Sequence, residues 1–385
     1  MRKVLKMIDK KLLIATIALF VLGLIMVFSS SNITAFMRYQ YDNPASFFVR
    51  QLFFLILGGI GFLIFLKFST KSYPLIGWLS TIIVGVILLL LLIYGTAIND
   101  SISWIGYKGF GIQPSEFAKV FLIILFGTYY EVKKNKSEDF LTMIIPVLIG
   151  GVITLLVLLQ NDFGTAFMIA AMTLFMFLIS PTKKKLKKKI LLYGALVILA
   201  ISLILVFSGK SLGLNEKLER FNFLNPCDRY LTTGNQVCNG YIAINNSNGI
   251  GRGLGNSTQK YLYLAESHTD FIYAVLIEEL GLEGMLVLFA LYIFVLARII
   301  IIAKNTIKDS HAMIAYSVAF YIFIHIIINL GGVLGLIPLT GVTLPFISYG
   351  GSFTWSLILA LTLVQRVKVE TTMLDRRIEK NIIKK

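Results

Sequence analysis

Runs of about 18 or more apolar residues, each long enough to cross a hydrocarbon core about 30 Å thick, recur along this chain from end to end, and they decide its fold class before any motif is read. Ten runs are present, at 12–30, 48–66, 73–95, 114–130, 141–159, 163–180, 190–209, 271–297, 311–334 and 348–365. Backbone inside lipid must satisfy its own hydrogen bonds, and apolar segments of this length do so as helices. The chain is 57% hydrophobic and 15% charged, far from the composition of a soluble domain of 385 residues. The expectation is an all-α, polytopic membrane protein with ten transmembrane helices, residues 1–385 forming one integral-membrane domain.

Basic residues orient the spans, because cytoplasmic loops retain Lys and Arg. With the N-terminus inside, the cytoplasmic pieces are MRKVLKMIDKK, KFSTKS, EVKKNKSED, PTKKKLKKK, the RIIIIAKNTIKDS turn and the tail from Arg366, and they hold 26 of the 36 Lys and Arg. An odd number of spans would put that basic tail outside, so both termini are expected in the cytoplasm. The net charge of +16 then reflects topology and attraction to anionic lipid, and no nucleic-acid partner is expected. The first apolar run is too long for a signal-peptide core and is read as a helix that stays.

One long connection remains, the extracellular loop at about 210–270 between helices 7 and 8. Its polar residues are interspersed with Tyr, Phe, Leu and Ile, so it should fold over the membrane surface. Cys227 and Cys238 both fall in it, and either a disulfide or two free thiols fits. Its NGIGRGLGNS segment fails the dinucleotide-binding spacing. Glycines around Arg252 could let backbone N–H groups approach a phosphate, and a flexible turn is the plainer reading.

Ionisable groups within or against apolar runs cost about 2.5–3.5 kcal/mol on insertion scales, so each needs a reason. In QPSEFAK, Pro114 suits a first helical turn, and Glu116 and Lys119 then share one face as an i, i+3 pair, serving helix register or the active cavity. Asp100, Trp104 and Lys108 lie just before it at the outer boundary, and Trp there can be a simple interface anchor. Asp162 is placed to cap the following helix. In AESHTDFIYAVLIEELG, Thr269 or Asp270 can cap a helix starting near 271, His268 is open to reading as a site residue or as a surface polar one, and Glu278 and Glu279 make helix contacts. The three histidines are scattered and no metal-ligand spacing is present.

Four stretches, QPSEFAK, RFNFLNP, GYIAINNSNGIGRGLGNSTQKYLYLAESHTDFIYAVLIEELGLEG and GLIPLTGVTLPFISYGGS, together resemble the shape, elongation, division and sporulation (SEDS) family of bacterial membrane proteins, FtsW, RodA and SpoVE. The compact GRGLGNSTQKYLYL is most like the division and sporulation branch. The resemblance implies a ten-helix peptidoglycan glycosyltransferase of the bacterial plasma membrane that polymerises lipid II at the outer face. It also implies a class B penicillin-binding protein and other divisome or elongasome membrane proteins as partners. The family's essential aspartate falls on Asp270, its paired Glu and Lys on Glu116 and Lys119, and its loop Trp on Trp104.

Joining a sugar hydroxyl to an anomeric carbon that carries a polyprenyl pyrophosphate needs a base and charge neutralisation of the leaving group. Asp270 is the expected base. Arg220, Arg252, Lys260, His268 and Trp104 are the expected substrate contacts, and Gln113, Glu116, Lys119 and Ser348 the residues shaping the cavity. A divalent cation, Mg²⁺ or Mn²⁺, is the expected cofactor if basic side chains do not suffice. The rival is a flippase that moves lipid II without chemistry, and a membrane scaffold is a third reading.

Overall fold

The computed structural model describes residues 2–95, 101–107, 110–207, 225–231, 234–261 and 263–383. Asp100, Lys108 and Arg220 lie outside the described residues. In chain order the elements are α1 (Arg2–Leu5), α2 (Lys10–Met37), α3 (Ser46–Phe65), α4 (Tyr73–Tyr94), β1 (Ile105–Tyr107), β2 (Phe110–Ile112), α5 (Pro114–Val132), α6 (Phe140–Leu159), α7 (Phe163–Ile179), α8 (Lys184–Phe207), α9 (Asn235–Asn246), α10 (Ile272–Lys304), α11 (Asp309–Val333) and α12 (Gly351–Ile383). Over most of its described length, each of the ten apolar runs lies on a helix. Six helical stretches among the described residues are long and apolar enough to cross a membrane, and α7 is a shorter apolar helix. The architecture is all-α apart from one small hairpin, in which Ile105 pairs antiparallel with Ile112.

The polar residues between apolar runs do identifiable work. Asp9, Asp139 and Asp162 each accept a backbone N–H in the first turn of the helix that follows, from Leu12, Thr142 and Thr165 respectively. Pro114 occupies the first turn of α5, where its missing N–H would have no helical partner.

Burial sorts the helices. Ile82, Ile83, Val86, Leu89 and Leu90 of α4 stand exposed, a face that only lipid or a partner helix would cover. In contrast α5 is packed by α4, α6, α7, α11 and α12, and from Pro114 to Tyr130 only Phe117 and Phe121 escape full burial. Glu116 and Lys119 therefore sit in the interior of the bundle.

The α10 helix is broken at Gly281, whose φ of +62° and ψ of −156° leave the helical region. A Cβ there would lie 2.4 Å from the carbonyl carbon of Ile250, so only glycine lets the two backbones meet. The break frees the carbonyls of Glu278 and Glu279, which accept the N–H groups of Arg252 and Gly253, both at 2.9 Å. Leu282 N–H in turn donates to Gly249 O at 2.9 Å. The glycine-rich segment is thus an ordered strap on a broken helix, and the close approach that its glycines allow is made to α10. Cys227 and Cys238 are joined by a disulfide, resolving the alternatives left by the sequence.

Candidate active site

Asp270 lies in the turns that lead into α10. The helix is capped at Phe271 with no side-chain hydrogen bond, so neither Thr269 nor Asp270 serves as the expected cap. Asp270 is instead held by its main chain: Asn329 Nδ2 of α11 donates to Asp270 O at 2.8 Å and to Val342 O at 2.7 Å. Ser348 Oγ donates to Thr269 O at 2.5 Å, and Tyr349 N–H donates to His268 O at 2.9 Å. Ser348, expected as a cavity residue, is thereby brought to the aspartate's own segment.

The carboxylate keeps one hydroxyl neighbour, Thr269 Oγ1 at 2.8 Å from Asp270 Oδ1, and that hydroxyl also lies 2.9 Å from Glu266 Oε2. Burial pushes the Asp270 carboxyl up to about 6, against the pull of the Thr269 hydrogen bond and with the Glu266 charge adding to it. His268 is buried, not at the surface: its ring centroid is 4.4 Å from Phe47 and 5.7 Å from Tyr349. Burial, helped by the charge of Arg38, holds its pKa down at about 4, so it packs as a neutral aromatic ring.

The basic residues expected at the pyrophosphate divide. Lys260 is 1% exposed, with Nζ 2.9 Å from Glu279 Oε1, 2.6 Å from Gly255 O and 3.2 Å from Ser29 Oγ. An ammonium enclosed this way is neutralised where it stands, so Lys260 is corrected from a phosphate contact to a tether between the glycine strap, α10 and α2. Glu278 plays the matching part, accepting from Ser257 Oγ at 2.5 Å, Thr258 Oγ1 at 2.8 Å and Asn246 Nδ2 at 3.1 Å. Both glutamates, read from the sequence as helix contacts, bind the segment at 246–260. Arg252 keeps a partly exposed guanidinium, with Nη1 2.9 Å from Thr258 Oγ1 and 3.6 Å from Glu278.

Trp104 is half-exposed and lies over Gly111 of the hairpin, where a Cβ would come within 3.0 Å of the ring. Gln113 follows the hairpin and joins three elements. Its N–H donates to Ser352 Oγ at 2.9 Å, and its Nε2 to Asp162 Oδ2 at 2.8 Å.

Lys119 Nζ and Glu116 Oε1 are 2.8 Å apart and buried, so the sequence pair is a contact. Sequence reading missed a third member, His325 Nε2, 3.0 Å from Lys119 Nζ. An ammonium only donates, so Nε2 is the acceptor and the ring proton is assigned to Nδ1. The available signal was spacing: Tyr321, His325 and Asn329 recur every four residues along an apolar helix, one polar stripe on α11. That stripe touches Lys119 at one point and the Asp270 main chain at another.

Also missed were Thr34 and Arg38 at the end of α2. With Leu264 and Ala265 they line a cavity of about 230 Å³. A larger hollow of about 610 Å³ lies elsewhere, between the disulfide-bonded turn at Pro226–Asp228 and Leu334–Leu336, and holds none of the expected site residues. Among the described residues no three His, Cys, Asp or Glu side chains converge as a metal-ligand group.

Comparison with known proteins identifies the family and the fold. The model of a cell cycle protein family, FtsW/RodA/SpoVE, matches residues 10–373. A Bacillus subtilis protein named "Probable peptidoglycan glycosyltransferase FtsW" is 39% identical over 365 residues, covering 94% of this chain and 90% of its own. Stage V sporulation protein E of the same organism is 33% identical over 364 residues, covering 93% and 96%. Among solved structures, a chain from a peptidoglycan synthase complex superposes with a TM-score of 0.73 at 23% identity, covering 94% of this chain and 98% of that one. The Thermus thermophilus rod shape determining protein RodA gives 0.65 at 22%, covering 94% and 97%. With its family model spanning nearly the whole chain and relatives this close, the protein belongs to the FtsW/RodA/SpoVE family of bacterial membrane proteins.

Proposed function

We propose that this protein is a peptidoglycan glycosyltransferase that polymerises lipid II at the outer face of the bacterial plasma membrane. Ten transmembrane helices with both termini cytoplasmic, folded as one membrane domain with the 210–270 loop outside, are the topology that goes with this reading. Its support is the helix under every apolar run and the basic turns on one side. The names of its B. subtilis relatives point to the division and sporulation branch. A class B penicillin-binding protein is the proposed partner, in keeping with a structural neighbour solved in a complex that couples polymerization to crosslinking.

The observation that carries the reading is Asp270: a buried carboxylate raised to about 6 by burial, gripped through the main chain of its segment and hydrogen-bonded at its side chain by the Thr269 hydroxyl. A carboxylate of that basicity can take the proton of the acceptor hydroxyl as its oxygen attacks the anomeric carbon, while the bond from that carbon to the pyrophosphate breaks. Arg252, on the strap itself, keeps a partly exposed guanidinium that is available to help neutralise the departing anion. Asp270 and Glu266, two carboxylates about one hydroxyl, fit a Mg²⁺ or Mn²⁺ site of the kind completed by substrate phosphates, and a bound ion would supply charge neutralisation. Gln113, Glu116, Lys119 and His325, tied to their neighbours by the contacts above, are the residues we assign to shaping the substrate cavity.

The test is polymerisation of lipid II by the purified chain with its partner. Glycan should form with the wild type and not with Asp270→Asn at equal folded yield. Full synthesis by the Asn variant would sink the base assignment, and translocation of lipid II by a wild type that makes no polymer would favour the flippase.

A further inference from the structure

Thr34 and Arg38 occupy the last turns of α2, and neither is used by the chemistry above. Thr34 is 1% exposed, yet its Oγ1 has no hydrogen-bond partner among the described residues. A buried hydroxyl left unpaired is unusual and asks what it meets in the working protein. It borders the cavity of about 230 Å³ that Arg38, Leu264 and Ala265 complete. Arg38 is half-exposed and donates through Nη1 to Ala265 O at 2.7 Å, which leaves most of its five N–H groups open. It stands at the carboxyl end of α2, where the helix dipole favours a cation. Glu266, 3.8 Å away, is the one carboxylate that competes for it among the described ion pairs.

The size and setting of the cavity choose its occupant. It is smaller than the about 300–1,000 Å³ of sites that enclose drug-sized molecules, so it takes a fragment such as a phosphate, not a disaccharide. Phe36 and Met37 stand exposed beside it on the same helix, a surface suited to an acyl or prenyl tail. The cavity opens next to Ala265, five residues before Asp270.

We propose that Thr34 and Arg38 form the subsite that holds the diphosphate of a polyprenyl-linked sugar substrate, with Arg38 pairing to the phosphate oxygens and the Thr34 hydroxyl donating to one of them. The proposal rests on the glycosyltransferase reading and adds the residues that bind the anionic part of its substrate. Lys260 is consumed by Glu279, which leaves this end of α2 as a source of positive charge near the aspartate.

The experiment uses the full chain with its partner, titrated with lipid II, and in parallel measures binding of undecaprenyl pyrophosphate to the chain in nanodiscs. Arg38→Gln should raise the KM and weaken pyrophosphate binding by about tenfold or more, the loss of a charge-assisted contact. Arg38→Lys should recover part of it. Thr34→Val should weaken both by about threefold to tenfold without lowering the melting temperature, because the hydroxyl it removes has no protein partner. With chelator present, so that no ion bridges Glu266 to the phosphates, Glu266→Gln should tighten pyrophosphate binding by freeing Arg38. Wild-type KM and affinity in both Arg38→Gln and Thr34→Val would overturn the subsite, as would a defect that follows only the phosphatidylglycerol content of the nanodisc, which would make this a headgroup contact. A wild type that binds undecaprenyl pyrophosphate through these residues but makes no polymer would instead count against the glycosyltransferase reading alone.

Discussion

Replacing Asp270 by Asn should stabilise the protein while ending its activity, and the size of the effect follows from the site. The carboxyl is about 7% exposed, and its pKa rises from 3.8 to about 6, chiefly because burial disfavours the charged form. A folded-state pKa above the unfolded value means that the native protein binds the proton more tightly. The contribution is therefore fully present below about pH 4 and is lost as pH rises through about 6. A shift of about two units at 1.36 kcal/mol each amounts to about 3 kcal/mol of stability given up at neutral pH. Asn has the same shape, keeps an oxygen for the Thr269 hydroxyl and carries no charge, so it should recover most of that. Thermal unfolding of the full chain in detergent, with chelator present and substrate absent, should show the Asn variant melting a few degrees higher at pH 7.5, with the gap closing toward pH 4. A variant that melts lower than wild type at pH 7.5, or a gap that does not change with pH, would refute the idea that Asp270 is held at the expense of stability.

Other parts of the fold make separate predictions. Lys260→Met strands the Glu279 carboxylate, which is 1% exposed, and should cost about 3–5 kcal/mol and open the 249–260 strap to proteases, measured by melting and limited proteolysis. Lys119→Met should cost a similar amount and lower polymer yield, and exchanging Glu116 with Lys119 should restore part of the stability but not the contact to His325. Gly281→Val forces a branched side chain into a φ of +62° and against the Ile250 carbonyl, so folded yield should collapse on size-exclusion chromatography, whereas Gly59→Val, with open space around it, should be silent.

How much of this was legible in the sequence depends on whether a residue's partner is local. The apolar runs carry their own fold, since a helix in lipid closes its hydrogen bonds within itself, and each run is helical over most of its described length. The pairing of Glu116 with Lys119 and the capping of α7 by Asp162 are three-residue relationships, and both could be read directly. Lys260 could not, because what neutralises it is 19 residues away on α10 and 231 away at Ser29 of α2. In the sequence it is one more cation in a polar loop, and only the break at Gly281 brings the strap down onto Glu278 and Glu279. The burial of His268 was hidden for a similar reason: between Ser267 and Thr269 nothing local marks it as enclosed, while Phe47 and Tyr349, from distant segments, pack against it. The polar stripe Tyr321, His325 and Asn329 was visible as a four-residue period, but what it meant required knowing that α11 faces both α5 and the turns before α10. Long-range burial, which no local pattern encodes, thus separates the aspartate that the motif located from Lys260, whose charge is met by Glu279.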